Sequence, residues 1–311
     1  LPHDVFHRGS HPRAGALAAA GLEVHTWVVL AHNSRMGAEH PDTSVVNAYG
    51  DRYPWAPCIA QPATRAYLTD LAAEAAVRPG ARGTELESLG WYGLQHLHAH
   101  DKTAGVALGE AGQYLMSLCF CPSCQAGYGA LGLDAGALAA AVREALEPLW
   151  RGAAGDEGWP TVGKLLGEET AAVTRAWRDT TARTLQEEAV AAVRAAAPHG
   201  FQVLLHADPV SYHCGANAGV DPAHILSVAD GVVVPCTGGT ALLAPFAARA
   251  REGTVLAANL TVVTGMGGSP GTLAADASRA RADGATELRL YHAGLASDDD
   301  LAAVRTALST P

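Results

Sequence analysis

Apolar and polar residues follow two different periods along the chain. Short runs rich in Val, Leu and Thr are typical of strands, and longer Ala-rich runs with apolar residues three or four positions apart are typical of helices. In the last third of the chain the two patterns alternate regularly, which indicates parallel βα units. The predicted strands are residues 22–31, 83–88, 201–207, 231–235, 254–260 and 287–292.

The helical period predicts several long helices between these strands. Residues 161–197 contain no Pro, so the pattern predicts one uninterrupted helix there, preceded by a loop over 151–160. The predicted helices are residues 13–20, 62–76, 133–149, 161–197, 241–251, 272–282 and 298–308.

Six strands with βα connections predict an α/β fold, a (β/α)8 TIM barrel that lacks its first one or two βα units. A complete barrel has eight strands and ~250 residues. We expect the first two strands to precede residue 1; missed strands or an open sheet are the alternatives. We expect one barrel domain over residues 1–311, with a long βα-loop insertion over about 89–160.

Composition narrows the function classes. The chain has 311 residues, of which 49% are hydrophobic, and a net charge of −10. An acidic surface disfavours nucleic-acid binding. No run approaches the ~20 apolar residues of a membrane span, and no leader pattern is present, so we expect a cytoplasmic protein. With 6% aromatic residues, the core is predicted to consist mostly of Ala, Leu and Val.

Side-chain alternation along the strands places several polar residues inside the barrel. Leu86 suits the helix-facing side of its strand, so Glu85 and Glu87 point inward, and the same argument applies to the other strands. Polar groups in such an interior are costly unless paired, and so they tend to be functional. The converging set is Trp27, Glu85, Glu87, His206, Asp208, Asn259, Arg289 and Tyr291.

Two carboxylates in this set are the candidate catalytic residues. Glu87 ends its strand, and shielding by Trp91 and Tyr92 would raise its pKa and suit it to general acid catalysis. The alternative is a structural pair with Arg289, which is also the role predicted for Glu85. Asp208 is the candidate base or nucleophile, or else it caps the turn at Pro209. Glycoside hydrolysis usually requires two such carboxyls.

The cysteines form the most specific motif. Cys119, Cys121 and Cys124 have metal-ligand spacing, and tetrahedral zinc takes four ligands, so Cys58 is the natural fourth. Four thiolates without a water position would make the zinc structural; the alternative is ordinary buried thiols. Cys214 and Cys236 stand alone and are predicted to be plain buried thiols.

A second cluster of polar residues follows Glu87. His96, His98 and His100 could ligate a metal if extended, or form a polar loop that binds substrate hydroxyls. Aromatic faces such as those of Trp55, Trp91 and Tyr92 could stack on a sugar, or lie in the core. The predicted substrate-binding residues are Trp27, Asn33, Trp91, Tyr92, His98, His100, His206, Asn259, Arg289 and Tyr291.

The cysteine spacing, with the helix after Cys58 and the strand ending in Glu87, resembles the family 42 β-galactosidases and related glycoside-hydrolase-like barrels. The resemblance covers about residues 20–130. It implies a structural zinc on the four cysteines, Glu87 as acid/base at the end of the fourth strand, and entry of the chain at the third strand. The sequence departs from the family at Leu86, where the family has Asn, and at Asn259, on the strand that carries the family's nucleophile.

The sequence therefore predicts a carbohydrate-active hydrolase with Glu87 as general acid and a carbohydrate substrate. It carries no signal for an oligomeric state. One alternative is a metal-dependent lyase, isomerase or hydrolase that uses His96, His98, His100 or His206. Another is a barrel that binds sugar without catalysis.

Overall fold

The computed structural model describes residues 14–95 and 105–309. Within them, six parallel strands form one sheet in the order β1-β4-β5-β7-β8-β9, with the short β6 paired to β5. Strands β2 and β3 form a separate antiparallel pair. The strands are β1 Val24–Val29, β2 Ser44–Val46, β3 Arg52–Pro57, β4 Ala81–Glu87, β5 Gln202–Asp208, β6 Ala218–Gly219, β7 Gly231–Pro235, β8 Val255–Thr261 and β9 Glu287–Tyr291.

Helices connect the strands and cover one face of the sheet. A long excursion between β4 and β5 contributes α4 to α8, and α3 packs against α8. The helices are α1 residues 14–19, α2 Ser34–Glu39, α3 Pro62–Ala76, α4 Gly109–Met116, α5 Pro122–Ala130, α6 Ala135–Trp150, α7 Trp159–Leu166, α8 Glu168–Ala196, α9 Pro222–Val228, α10 Ala244–Ala247, α11 Leu273–Ala282 and α12 Asp298–Leu308.

The sheet is curled into a half-barrel. In a flat sheet, six strands would place the two edge strands about 24 Å apart. Here Trp27 on β1 and Tyr291 on β9 pack with their ring centroids 5.7 Å apart across the concave face. The predicted partial TIM barrel is thereby confirmed, with the six strands that the sequence pattern indicated.

The two faces of the sheet have different cores. A small apolar layer of four residues lies on the concave face, namely Leu204, Val233, Val255 and Ala257. The larger core lies between the convex face and the helices, where Val203 and Leu205 point. Strand alternation therefore sorts side chains as predicted, and Ala, Leu and Val dominate the buried apolar residues.

Two local predictions were wrong, and one element was missed. The expected helix over 161–197 is two helices, because Gly167 adopts φ +81° and separates α7 from α8; α7 also begins earlier, at Trp159. The helix predicted over 241–251 is a 3-10 turn followed by the short α10. The β2–β3 hairpin was not predicted.

None of the helices in the described ranges combines the length and the apolar character that a bilayer span requires.

Candidate functional site

A network of charged side chains lies deep in the concave face. Arg289 on β9 donates from Nε to Glu85 Oε1 at 2.5 Å and from Nη1 to Glu287 Oε2 at 2.8 Å. His206 Nε2 lies 3.3 Å from Glu85 Oε2. The network joins β4, β5 and β9, so it ties opposite sides of the half-barrel together.

These partners decide the ionisation of Glu85. Burial alone raises the pKa of this carboxyl, but the close contact with His206 and the hydrogen bond and charge of Arg289 lower it to about 2. Glu85 therefore stays ionised at neutral pH and is no proton donor. The Glu85–Arg289 pair expected from the sequence is present.

Glu87 lies one layer higher, at the last residue of β4. Burial raises the pKa of its carboxyl, opposed by the charge of His206 and a hydrogen bond from Trp27. Burial, with the charge of Glu87, raises the pKa of Tyr92 to about 12 and also raises that of Tyr291. The Glu87 carboxyl is thus surrounded by aromatic side chains, and it retains its proton to higher pH than an exposed glutamate.

The backbone directly after Glu87 is strained. Ser88 is fully buried and has φ 57°, a left-handed conformation that costs a non-glycine residue about 1–2 kcal/mol. Its N–H donates to Ala216 O at 2.8 Å, and its carbonyl accepts from Ala31 N at 3.0 Å. Such strain concentrates at functional sites, where the surrounding structure enforces it. At Ser88 the left-handed conformation sets the direction in which the chain leaves the sheet after β4.

An aromatic surface borders Glu87. The Trp27 side chain is 45% exposed although it lies on the concave face. Its ring stacks on His206 at 5.9 Å between centroids and meets Tyr291 edge-on. A ring face that is open to solvent beside a polar group is a suitable surface for the apolar face of a sugar.

Asp208 belongs to a second charged group, at the end of β5. Its Oδ1 accepts from Val210 N at 2.8 Å, and its Oδ2 lies 3.1 Å from His213 Nδ1. The other ring nitrogen of His213, Nε2, lies 3.5 Å from Glu110 Oε1. Burial by itself lowers the pKa of His213, but the two carboxylates raise it overall. Asp208 thus both caps the turn, as one prediction had it, and pairs with a histidine.

A cleft of about 340 Å³ opens beside this group. Its walls come from α4, the end of β5 and the loop that follows β5. The loop also carries Ala216, which hydrogen-bonds Ser88, so the cleft adjoins the end of β4. The residues that line it are Gln95, Glu110, Gln113, Tyr114, Asp208, Tyr212, His213, Cys214, Gly215, Ala216 and Asn217.

Some predicted binding residues lie elsewhere. Asn33 caps α2, since its Oδ1 accepts from Met36 N at 2.9 Å. Trp91 is 5% exposed and its indole donates to Arg178 O, so its ring is part of the core. His96, His98 and His100 lie outside the described residues.

Asn259 lies at the concave face beside Arg289 in the strand register. Its Oδ1 is buried and has no hydrogen-bond partner in the described part of the chain. The Asn259 side chain is thus a polar group of the concave face that the described protein atoms leave partly unpaired.

Four cysteines meet outside the barrel interior. Cys58 follows β3, while Cys119, Cys121 and Cys124 lie at the start of α5, and all four are buried. Their sulfur atoms all lie within 4.8 Å of one another, and Cys58 Sγ is 3.5 Å from Cys121 Sγ and 3.6 Å from Cys124 Sγ. The four cysteines that the sequence singled out therefore converge.

The cluster fits a metal ion. A disulfide would need S–S ≈ 2.05 Å, and all four thiols are free. Four sulfurs around a tetrahedral zinc at ≈ 2.3 Å would lie about 3.8 Å apart, close to the separations observed. Backbone N–H groups of Val46 and Cys121 also approach Cys119 Sγ at 3.5 Å, which stabilises a thiolate ligand.

Sequence reasoning missed Glu110 and His213 as members of the site. His213 follows Asp208 by five residues in a loop after a strand, and this was a usable signal. Glu110 carries no such signal, since only folding brings α4 to the end of β5.

Comparison with known proteins informs the fold. No protein-family model and no curated protein matches this sequence. α-L-Fucosidase isoenzyme 2 from Paenibacillus thiaminolyticus has a similar structure, with a TM-score of 0.58 and 12% identity over 96% of this chain. The match covers 38% of the fucosidase chain, so this chain spans well under half of that relative's length. At this identity the likeness shows the fold alone.

Two further structures are more distant. The PgaB (BpsB) glycoside hydrolase domain from Bordetella bronchiseptica has a TM-score of 0.49 at 14% identity, covering 94% of this chain and 75% of that one. β-Galactosidase from Bacillus circulans sp. alkalophilus has a TM-score of 0.36 at 14% identity, covering 66% and 28%. Neither likeness adds to the one with the fucosidase, which shows the barrel fold alone, and membership of family 42 is not shown.

Proposed function

We propose that this protein is a carbohydrate-active hydrolase that cleaves a glycosidic bond, with Glu87 as general acid. The observation that carries the proposal is the raised pKa of a carboxyl at the end of a barrel strand, two residues from a glutamate that stays ionised. Environments that push the pKa values of neighbouring carboxyls apart are typical of acid–base sites. The likeness in fold to a fucosidase supports the proposal.

The surrounding side chains suit the proposed chemistry. Glu87 in its protonated form would donate to the leaving oxygen, and Trp27 would hold a sugar ring by its exposed face. Asp208, which accepts hydrogen bonds from Val210 N and His213, would serve as base or nucleophile. Asn259, which is half-buried beside Arg289, would hydrogen-bond a sugar hydroxyl through its side-chain amide.

The test is a screen of disaccharides and alkyl hexosides in both anomeric forms, whose poor leaving groups need protonation, with release of free sugar measured for three proteins. Glu87→Gln is expected to lower turnover about 10²–10⁴-fold, because the general acid is lost. Glu252→Gln, at an exposed position, is the matched control and should retain full activity. Turnover that survives in Glu87→Gln would reject the proposed role. If the wild type binds sugar without turnover, and Glu87→Gln binds it equally well, the protein is a sugar-binding barrel without catalysis.

The four clustered cysteines are proposed to hold a structural zinc ion. Cys58, Cys119, Cys121 and Cys124 would supply four thiolates and leave no position for water, so the ion would stabilise the fold and take no part in hydrolysis. It would link the segment after β3 to the start of α5.

Metal analysis of the purified protein tests this proposal. We expect one zinc per chain in the wild type and in Cys236→Ser, which alters a buried thiol outside the cluster. Cys121→Ser should lose the ion and unfold at a lower temperature. Zinc-free wild-type protein that is as stable as the zinc-loaded form would overturn it.

A further inference from the structure

Arg178 on α8 is a charged side chain in the protein core. It is 2% exposed, and its guanidinium lies over the rings of Tyr114 and Trp91, at 4.9 Å and 5.1 Å from their centroids. Removing a charge from water is costly unless an opposite charge or several hydrogen bonds compensate. The question is therefore which group compensates Arg178.

The hydrogen bonds of Arg178 lead to a cysteine. Nη1 donates to Ser117 O at 3.1 Å, and Nη2 donates to Cys214 Sγ at 2.8 Å. Nε is buried and has no partner, and no carboxylate pairs with the guanidinium within the described residues. Cys214 is therefore the contacting side chain that can take up a negative charge.

Cys214 is reachable from solvent on its other side. It is half-buried and lines the 340 Å³ cleft together with Gln113, Asp208 and Glu110. Gly93 lies behind it at φ 61°; a Cβ there would come within 3.2 Å of Cys214 Sγ and 2.4 Å of Ser117 Oγ. Because Gly93 has no side chain, the Cys214 sulfur and the Arg178 guanidinium can approach each other. Accessible cysteines beside a fixed positive charge are the reactive ones.

We propose that Cys214 is a covalent modification site for small electrophiles and disulfides that enter the cleft. The Cys214 thiolate, stabilised by Arg178, attacks one sulfur of a small disulfide. A new S–S bond forms to Cys214, the old S–S bond breaks, and the other half leaves as a thiolate. Because Asp208 and Glu110 line the same cleft, the site selects neutral or cationic reagents over anionic ones. This inference does not depend on the proposed hydrolase activity.

The test is brief labelling of the folded, zinc-supplemented protein with iodoacetamide at pH 7, followed by peptide mass spectrometry. Cys214 is expected to react at least about tenfold faster than free glutathione, which has an ordinary thiol. Cys236, whose pKa burial raises to about 11, serves as the internal unreactive thiol. Cys214→Ser confirms the site by loss of the adduct. A Cys214 rate at or below that of glutathione would overturn the proposal.

Arg178→Gln tests the cause of the reactivity. It removes the charge but keeps N–H donors, and we expect the Cys214 rate at pH 7 to fall about tenfold. An unchanged rate in a folded variant would show that Arg178 does not activate the thiol. Should this variant not fold, the comparison of wild-type Cys214 with glutathione decides by itself whether the thiol is reactive.

Reagent charge tests the selectivity of the cleft. Neutral iodoacetamide and anionic iodoacetate are compared first, and the ratio of their rates at Cys214 should exceed the same ratio for glutathione at least threefold. Cationic cystamine should likewise form a mixed disulfide with Cys214 faster than anionic oxidised glutathione does. Glu110→Gln should reduce that preference. Equal ratios for protein and glutathione would reject the predicted selectivity.

Discussion

Glu85 and Glu87 lie two residues apart on one strand and face the same interior, yet their carboxyls behave in opposite ways. Glu85 meets Arg289 and His206, and its pKa falls to about 2. Glu87 has aromatic neighbours and an indole donor but no arginine, and burial raises its pKa. Position on the strand thus gives both residues access to the interior, while the partners from other strands decide which one can donate a proton.

The largest expected effect comes from removing the partner of Glu85. Arg289→Met should lower the free energy of unfolding by about 2–3 kcal/mol, because it takes the arginine partner away from a largely buried carboxylate. Urea denaturation at pH 7 measures this, with the exposed Arg249→Met as matched control. A loss no greater than that of the control would mean that the network does not stabilise the half-barrel.

The pH dependence of stability should carry the signature of Glu85. The pKa of Glu85 is lower in the folded protein than in the unfolded chain, so the ionised carboxylate stabilises the fold. This stabilisation is complete above the unfolded-state pKa of about 4.3 and is lost as pH falls toward about 2. The stability difference between wild type and Glu85→Gln should therefore shrink by about 2 kcal/mol between pH 6 and pH 3. Denaturant titrations at several pH values measure it, and a constant difference would contradict the lowered pKa.

Glu87 should show the opposite slope. The pKa of Glu87 is higher in the folded protein than in the unfolded chain, so ionising this carboxyl destabilises the folded state. The destabilisation is absent below the unfolded-state pKa and is complete above the folded-state pKa. Glu87→Gln should thus be more stable than wild type at pH 8, and this advantage should disappear at pH 4. A variant less stable than wild type at pH 8 would indicate that ionised Glu87 has a stabilising partner.

The smallest effect concerns the indole donor. The hydrogen bond from Trp27 lowers the pKa of Glu87, so Trp27→Phe should raise that pKa further. NMR titration of ¹³C-labelled glutamate measures the change directly, and the alkaline limit of activity should move with it. Trp150→Phe, at an exposed indole far along the chain, should leave both unchanged.

The pattern of the sequence was sufficient for the sheet. All six strands of the half-barrel were expected near their observed positions, because period-two alternation of buried and exposed side chains is a local property. The same alternation correctly placed Glu85, Glu87, Arg289 and Tyr291 on the concave face. Irregular segments fared worse: Gly167 broke a helix, and the β2–β3 hairpin was missed although Asn47, Gly50 and Asp51 form its turn.

Motif spacing indicated the cysteine cluster, since three of its members lie within six residues. The aromatic residues were harder to place. Trp27 and Trp91 were both predicted to bind substrate. In the structure, however, Trp27 is 45% exposed and Trp91 is 5% exposed. Their exposure depends on which elements of the chain pack over them, and no local pattern encodes that.

The sequence by itself thus determined the order of elements, the inward-facing residues and the metal-ligand spacing, all of which depend on neighbours along the chain. Only the tertiary structure decided the chemistry. Glu85 and Arg289 are 204 residues apart, and Glu110, His213 and the Arg178–Cys214 contact likewise come together only on folding. Ionisation and reactivity depend on charge, burial and hydrogen bonds within a few ångströms, and those distances exist only once distant segments have packed together.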